Sequence, residues 1–482
     1  MATSGIRVSG GVFYTLSMFD HINEKSVYFI GIGGIGMSSL ARWFKAQNWA
    51  VSGSDMVESK ITQDLRKDGV KVKIGHKKAN LESQIGLVVY NNAIPVGNPE
   101  LLEARKRGLP VYSYPEAVGE LTKGYETFAV AGAHGKSTTT SLLSLVLLKG
   151  GFDPTVIVGT RLKEFNDTNF RLGSKDYLVL EADEWKAAFL NYSPTFIILT
   201  NIDKEHLDFY KSFENVERTF LKFIDGMKLG GTLVANKDNE NLWKIRKEIE
   251  RLAKQKAANV IWYSLADRPD LKTKLKRTLS IPGEHNLTNA LAVLMLAKSL
   301  GIEERMILTA LHGYKGAWRR FEYRGNLNVK RMKIGSTKWR TKAKIPVYDD
   351  YAHHPTEINA TLAAFREKFP KHKIICVFEP HQAKRLQNLF KEFTAAFDKA
   401  DYLVLMPTYK VAGRDKVNKA YTSENLAKKI ERLNKNLNVA FCGTYKKLPK
   451  VLGEIITPLP SSRFVIVMMG AGTIANHTDE LI

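Results

Sequence analysis

Apolar residues come along this chain in short solid runs, each closed by glycines or acids and followed by a stretch with helical spacing. The first, KSVYFIGIGGIGMSSLARWF, reads as a buried strand, a glycine turn and an amphipathic helix, and WAVSGSD supplies a second strand ending in an acid. GLVVYNNAI and LPVYSY read as further buried strands, with NPELLEARKRG as the helix between them. The pattern breaks at ELTKGYE, where charge and glycine interrupt it.

A second series follows: TFAVAGAHGKSTTTSLLSLVLLKGG, DYLVLEADEW, PTFIILTNIDKEHLDFY and GGTLVANKDN alternate strands with helices, which predicts a parallel, doubly wound sheet. IPGEHNLTNALAVLMLAKSLGI is a long apolar helix opened by polar residues. From about residue 322 the alternation returns in IPVYDDYAHHP, KIICVFEPH, DYLVLMPTY, NVAFCG and RFVIVMMGAG. The expected architecture is α/β in three domains, 1–124, 125–321 and 322–482. The first and last are Rossmann-like, and the middle one is a parallel sheet of the phosphate-loop ATPase type.

Composition changes this picture little. The 482 residues are 44% hydrophobic and 25% charged, ordinary globular values that suffice for three cores. Cys376 and Cys442 have no paired spacing, so neither a zinc site nor a disulfide framework is expected, and a reducing cytoplasm is the default. No apolar run approaches the ~20 residues of a membrane span, and the opening residues lack a signal-peptide pattern. The net charge of +23 is the footprint of a nucleic-acid binder. Yet there is no zinc finger, arginine-rich repeat or stacking-aromatic signature, and the lysines are dispersed. An anionic small substrate accounts for the charge better than a nucleic-acid partner does.

Two glycine loops carry the candidate chemistry. Gly31, Gly33 and Gly36 form G-x-G-x-x-G between strand and helix with Asp55 further on, a pattern for a nucleotide pyrophosphate at a helix N-terminus and an acid near a ribose. A nicotinamide cofactor, or glycines serving only tight packing, would give the same letters. Gly132, Ala133, His134, Gly135, Lys136, Ser137 and Thr138 form a shortened phosphate loop, with Lys136 to neutralise a terminal phosphate and Ser137 to ligate Mg²⁺. Glu181, Asp183 and Glu184 end one strand; Asn201, Asp203, Glu205, His206 and Asp208 follow another. Such strand tips gather ligands in parallel sheets. Asp203 reads as a solvated loop acid.

GIGGIGMSSLA, GAHGKSTTT, EADE, TNIDKEHLDFY, PGEHNLTNALA, WRRFEYRG, DDYAHHPTEI, FEPH and MGAGTI occur in the order and approximate spacing of the Mur ligases of peptidoglycan synthesis. The chain resembles that family from Val27 to Ile474, most closely its alanine-adding branch, whose ATP loop has this shortened spacing. The resemblance implies an ATP-dependent amide ligase that joins L-alanine to UDP-N-acetylmuramate through an acyl phosphate, acting in the cytoplasm as monomer or homodimer. It implies that Gly31, Gly33, Ile35, Gly36 and Met37 line the sugar nucleotide's pyrophosphate, with Asp55 and His76 near ribose or uracil. Lys136 would contact the γ-phosphate; Ser137, Glu181 and His206 would hold Mg²⁺. Asn286 and Asn289 match adenine-side residues, and Arg320, Asp350 and His353 match residues that reach ATP. His354, His381 and Arg385 match positions near the amino acid, Arg385 for its carboxylate and a neutral histidine to deprotonate its ammonium.

The sequence also departs from that branch. Gln382 and Leu386 stand where it usually has Arg and Thr, NLNVKRMKIGSTKWRTKAKIP is a longer and more basic connection, and TYKVAGRDK keeps Gly413 but moves the acid to Asp415. The basic segment 326–346 is expected to extend a solvated hairpin, with an anion-binding flap as the sharper alternative. Competing functions are a muropeptide-recycling ligase that adds a tripeptide, and an NAD(P)-dependent oxidoreductase, which would leave Lys136, Glu181 and His206 unexplained.

Overall fold

Strand Ser26–Ile30 is buried along its whole length, because it lies in the middle of a sheet covered on both faces. The computed structural model describes Phe19 and residues 22–174, 176–328, 344–409, 418–458 and 463–482; the side chain of Asp208 lies outside this description. The chain divides into two compact units, one of Met1–Leu279 with Leu287–Tyr314, the other of Ser280–Asn286 with Lys315–Ile482.

The first unit carries two sheets. In one, the strands run in the order Lys71–Ile74, Ala50–Asp55, Ser26–Ile30, Leu87–Tyr90, Val111–Ser113, all parallel. The helix Ile35–Ala46 follows the glycine turn and buries Met37, Leu40, Ala41, Trp43 and Phe44, as its apolar spacing predicts. The other sheet has the order Asn259–Tyr263, Thr232–Asn236, Phe196–Leu199, Glu126–Ala131, Tyr177–Ala182, Thr155–Leu162, Thr168–Arg171. Its last strand is antiparallel to its neighbour, a hairpin at the edge of an otherwise parallel sheet.

That hairpin fastens the two sheets together. Asn169, 1% exposed, donates to the Ile35 carbonyl and to Ser38 Oγ (3.0 Å) and accepts from Arg42 Nη1 (2.7 Å). Arg161 Nη2 adds an ion pair to Asp64 Oδ2 at 3.0 Å. The first turn of the helix behind the glycine loop is thereby held by a residue from the sheet of the phosphate loop.

The second unit holds one sheet, ordered Glu322–Asn326, Pro346–Asp350, Phe464–Met469, Lys373–Phe378, Tyr402–Leu405, Asn438–Phe441. Among the described strands of this sheet, only Glu322–Asn326 is antiparallel to its neighbour. Its central strand FVIVMM is buried throughout, and apolar clusters lie on both faces. Glu322–Asn326 and Pro346–Asp350 pair as antiparallel neighbours, and Leu327 N–H donates to the Ile345 carbonyl (2.8 Å). The basic connection thus leaves from a hairpin base, while its residues 329–343 lie outside the described residues, as do Gly413 and Asp415. No helix among the described residues is long and apolar enough to cross a membrane.

Candidate active site

Strand Glu126–Ala131 ends in Gly132, whose φ of +140° and surroundings admit no side chain: a Cβ there would lie 2.1 Å from Thr200 Oγ1. Gly135, at φ +83°, caps the helix Lys136–Lys149, and a Cβ on it would meet Asn289 Oδ1 at 2.7 Å. Asn201 from the neighbouring strand tip clamps the loop, accepting from His134 N–H (2.9 Å) and donating to His134 O (2.9 Å). His134 Nε2 lies 3.0 Å from Asp203 Oδ2, so the expectation that Asp203 is merely a solvated acid fails: it partners the loop.

Lys136 folds back over this loop, donating to Gly132 O (2.6 Å), Ala133 O (3.2 Å) and Glu184 Oε2 (2.7 Å). Burial acts against the ammonium, but Glu184, Asp183 and Glu181 more than reverse it and hold Lys136 above the usual lysine range. Burial also pushes Glu184 upward, against the pull of Lys136. The two groups respond in opposite senses to the same pairing. The 2.7 Å contact and the weight of negative charge around Lys136 decide for a charged pair.

Ser137 Oγ donates to Glu181 Oε1 at 3.0 Å, and Glu181 Oε2 accepts from Gly159 N–H at 2.9 Å. Thr138 is buried on the same helix. His206, in the left-handed region at φ 54°, places Nε2 3.7 Å from Glu184 Oε1. The Ser137–Glu181 pair and the Lys136–Glu184–His206 chain are thus contributed to the phosphate loop by neighbouring strand ends. A hydroxyl beside a carboxylate is a hard-oxygen donor set, with a further carboxylate and imidazole next to it, which fits Mg²⁺. Sequence reading missed the part played by Glu184, which pairs Lys136 and is 2% exposed.

At the other loop, Gly31 has φ +82°, Gly33 N–H donates to Asp55 Oδ2 (2.9 Å), and a Cβ on Gly36 would strike the Tyr114 ring at 2.6 Å. Asp55 is thereby engaged in shaping the loop. Met37 is 1% exposed, its side chain packed within the core. Ile35 opens the helix.

His76 is held from beneath. Its Nδ1 lies 2.9 Å from Ser54 Oγ and 3.0 Å from Glu100 Oε2. Glu100 is fully buried and also accepts from Tyr28 Oη (3.0 Å), Ser54 Oγ (2.6 Å), Asn80 Nδ2 (2.6 Å) and Lys77 N–H (3.1 Å). Burial raises its pKa, but the bonds from His76, Ser54 and Asn80 outweigh that and leave it lowered. A carboxylate only accepts, so Nδ1 carries a proton, and an unprotonated Nε2 would be an acceptor. Nε2 is buried without a hydrogen-bond partner among the described residues. Glu100 was not singled out from the sequence, where it looks like one more acid in a helix's first turn.

In the second unit, Asp350 ends its strand buried, accepting from Phe321 N–H (2.8 Å), Ala352 N–H (2.9 Å) and Thr361 Oγ1 (3.3 Å). Burial pushes its carboxyl up, opposed by Arg320. The Arg320 guanidinium lies over the Tyr351 ring at 4.5 Å. His353 Nδ1 contacts Tyr351 O (3.1 Å) and Glu357 Oε2 (3.2 Å), and the His381 ring lies 6.0 Å away, stacked on Tyr409. His354 caps the helix Pro355–Lys368, its Nδ1 accepting from Thr356 N–H at 3.4 Å. Nδ1 is thereby engaged at the helix start. Arg385 lies in the short helix Ala383–Asn388, partly buried, beside Leu386, which is a core residue. Asn286 donates to Pro282 O (2.6 Å) in the first turn of the helix Glu284–Ser299, which also carries Asn289.

Three family models cover most of the sequence: Mur ligase family, catalytic domain, over residues 26–126; Mur ligase middle domain over 130–297; and Mur ligase, glutamate ligase domain, over 330–472. A UDP-N-acetylmuramate–L-alanine ligase of Clostridium botulinum is 36% identical over 479 residues, spanning 95% of this chain and 97% of that protein. The ligase of the same name from a Sulfurihydrogenibium species is 35% identical over 473 residues, with the same shares covered. Among solved structures, the UDP-N-acetylmuramate-alanine ligase of Thermotoga maritima matches with a TM-score of 0.73 at 26% identity, over 94% of this chain and 97% of its own.

Proposed function

The chain belongs to the Mur ligase family, and from that premise we propose that it is an ADP-forming ligase joining L-alanine to the lactyl carboxylate of UDP-N-acetylmuramate, in peptidoglycan precursor synthesis. The observation that carries the chemistry is the pairing of Lys136 with Glu184 and of Ser137 with Glu181 where the phosphate loop meets the adjacent strand end. The domain boundaries 1–124, 125–321 and 322–482 are part of this proposal, as is a cytoplasmic location.

The carboxylate oxygen attacks the γ-phosphorus of ATP and ADP leaves, giving an acyl phosphate. The alanine amine then attacks the activated carbonyl, loses its proton, and phosphate departs. Both first reactants are anions, so the site must suppress their repulsion before they can meet. Lys136 does this from the loop, by exchanging Glu184 for the γ-phosphate. Backbone N–H groups at the start of the helix Lys136–Lys149 face the remaining phosphate oxygens. Mg²⁺, held by Ser137 and Glu181 with His206 at a second position, would add charge neutralisation to the transferring group. The glycine loop Gly31–Gly36 takes the sugar nucleotide's pyrophosphate, and His76 offers an acceptor towards its base. By the family resemblance, Arg320, Asp350 and His353 are assigned to ATP, and His354, His381 and Arg385 to the amino acid.

Phosphate release with ATP, Mg²⁺, UDP-N-acetylmuramate and each common amino acid tests this. L-Alanine should give the highest kcat/KM, and no release should occur without the sugar nucleotide. Oxidation of NADH at 340 nm in place of phosphate release would overturn the proposal.

A further inference from the structure

We propose that Lys186 binds the lactyl carboxylate of the sugar nucleotide, the group that is phosphorylated. The inference rests on the reading just given of what the two glycine loops hold.

Lys186 lies in the short 3-10 segment Trp185–Asn191 that follows Glu184. It and Ala187 sit in the left-handed region, at φ 53° and 57°. Two successive non-glycine residues adopt that backbone only where their surroundings compel it, and such strain gathers at binding sites. Here the surroundings are two ligand loops. On one side, Glu184 pairs with Lys136 of the phosphate loop at 2.7 Å. On the other, Lys186 Nζ donates to Asn92 O at 2.9 Å. Asn91, the residue before, packs directly on the first glycine loop: Cβ atoms on Gly31 and Gly34 would lie 3.1 Å from its Cβ and 2.7 Å from its Nδ2.

One short segment therefore reaches from the phosphate loop to the pyrophosphate loop. A sugar nucleotide with its diphosphate at Gly31–Gly36 and its carboxylate directed at a γ-phosphate held by Lys136 has to run alongside it. Lys186 is exposed, and its ammonium lies 4.7 Å from the Trp185 ring centroid. The carbonyl and the ring are two of the contacts that position the ammonium. An ammonium at this point suits an anion that must approach other anions. It would hold the carboxylate by a charge-assisted hydrogen bond and orient it towards the γ-phosphate.

The test is calorimetric titration of the full chain with two sugar nucleotides, UDP-N-acetylmuramate and UDP-N-acetylglucosamine, which lacks the lactyl group. Lys186→Met should weaken UDP-N-acetylmuramate about tenfold or more while leaving UDP-N-acetylglucosamine within about twofold, and Lys186→Arg should restore most of the loss. Equal binding of UDP-N-acetylmuramate by Lys186→Met and wild type, or equal loss of both ligands, would overturn the inference. Wild-type protein that binds neither sugar nucleotide would instead overturn the functional reading beneath it.

Discussion

Lys136 and Glu184 form an ion pair of 2.7 Å with their side chains 13% and 3% exposed, so the phosphate-loop lysine carries an internal counter-charge from the adjacent strand tip. On the proposed reading the lysine is both a catalytic group and a structural one. Lys136→Ala should lower phosphate release by about a thousandfold or more, the scale set by losing a preorganised donor to a developing charge. UDP-N-acetylmuramate binding should stay within about twofold, since that ligand is held by another sheet. Glu184→Gln leaves the ammonium buried beside a neutral amide and should cost about 3 kcal/mol in urea unfolding. If Lys136→Ala folds but loses the sugar nucleotide as well, the two loops do not divide the substrates as proposed.

Asn169 ties the two loops mechanically. Replacing it by Ala removes the donors to Ile35 O and Ser38 Oγ and the acceptor of Arg42, leaving buried groups unsatisfied. The expected loss is about 1–3 kcal/mol of stability. The KM for UDP-N-acetylmuramate should rise while that for ATP changes little, because the helix released is the one behind Gly31–Gly36. Steady-state kinetics with each substrate varied in turn checks this, and an effect on ATP alone would contradict it.

What the sequence showed and what it hid follow from one physical distinction. The glycine loops were legible because a strand buried on both faces is a solid apolar run, and its end is marked by residues that need special backbone angles, as at Gly132 and Gly135. Ser137, Glu181 and His206 were legible as polar residues at such ends. The hairpin Thr155–Arg171 was not, because an edge strand with one open side mixes TVIVGTRL and TNFR with no clean period. Glu100 and Asn169 were hidden for a different reason: each acts through partners far away in sequence, and a lone acid or amide has no spacing to betray it. His354 also caps the helix Pro355–Lys368, a position that its residue type does not announce.

Glu100 gives the buried network a pH signature. Its pKa is depressed in the folded chain, so the stability it contributes is present above the ordinary carboxylate value of about 4.3 and is lost as pH falls below it. Glu100→Gln substitutes one acceptor and one donor for two acceptors, and meets donors from Tyr28, Ser54, His76, Asn80 and Lys77. It should destabilise by about 1–3 kcal/mol at pH 7 and flatten the acid limb below about pH 4. It should also weaken UDP-N-acetylmuramate, because an amide N–H facing His76 forces the other tautomer. Unfolding curves at pH 3.5 and 7, with calorimetry at pH 7, measure the three effects.

His285 titrates in the opposite part of the pH range from its residue type. Burial lowers its pKa to about 4, and the charges of Glu357 and Glu367 only partly oppose this, so the folded chain keeps the ring neutral at pH 5. The unfolded chain takes up that proton near pH 6.5. A group whose folded pKa is depressed stabilises above the unfolded value and loses that contribution as pH falls towards the folded one. The window for His285 therefore opens at about pH 6.5 and closes near pH 4, and by pH 5 the loss should reach about 2 kcal/mol. His285→Gln removes the titration, so the difference in unfolding free energy between wild type and variant should shrink by that amount on going from pH 7 to pH 5. A difference that stays constant across those two pH values would mean that the ring is protonated in the folded state, and that its burial beside Gly283 does not exclude the charge.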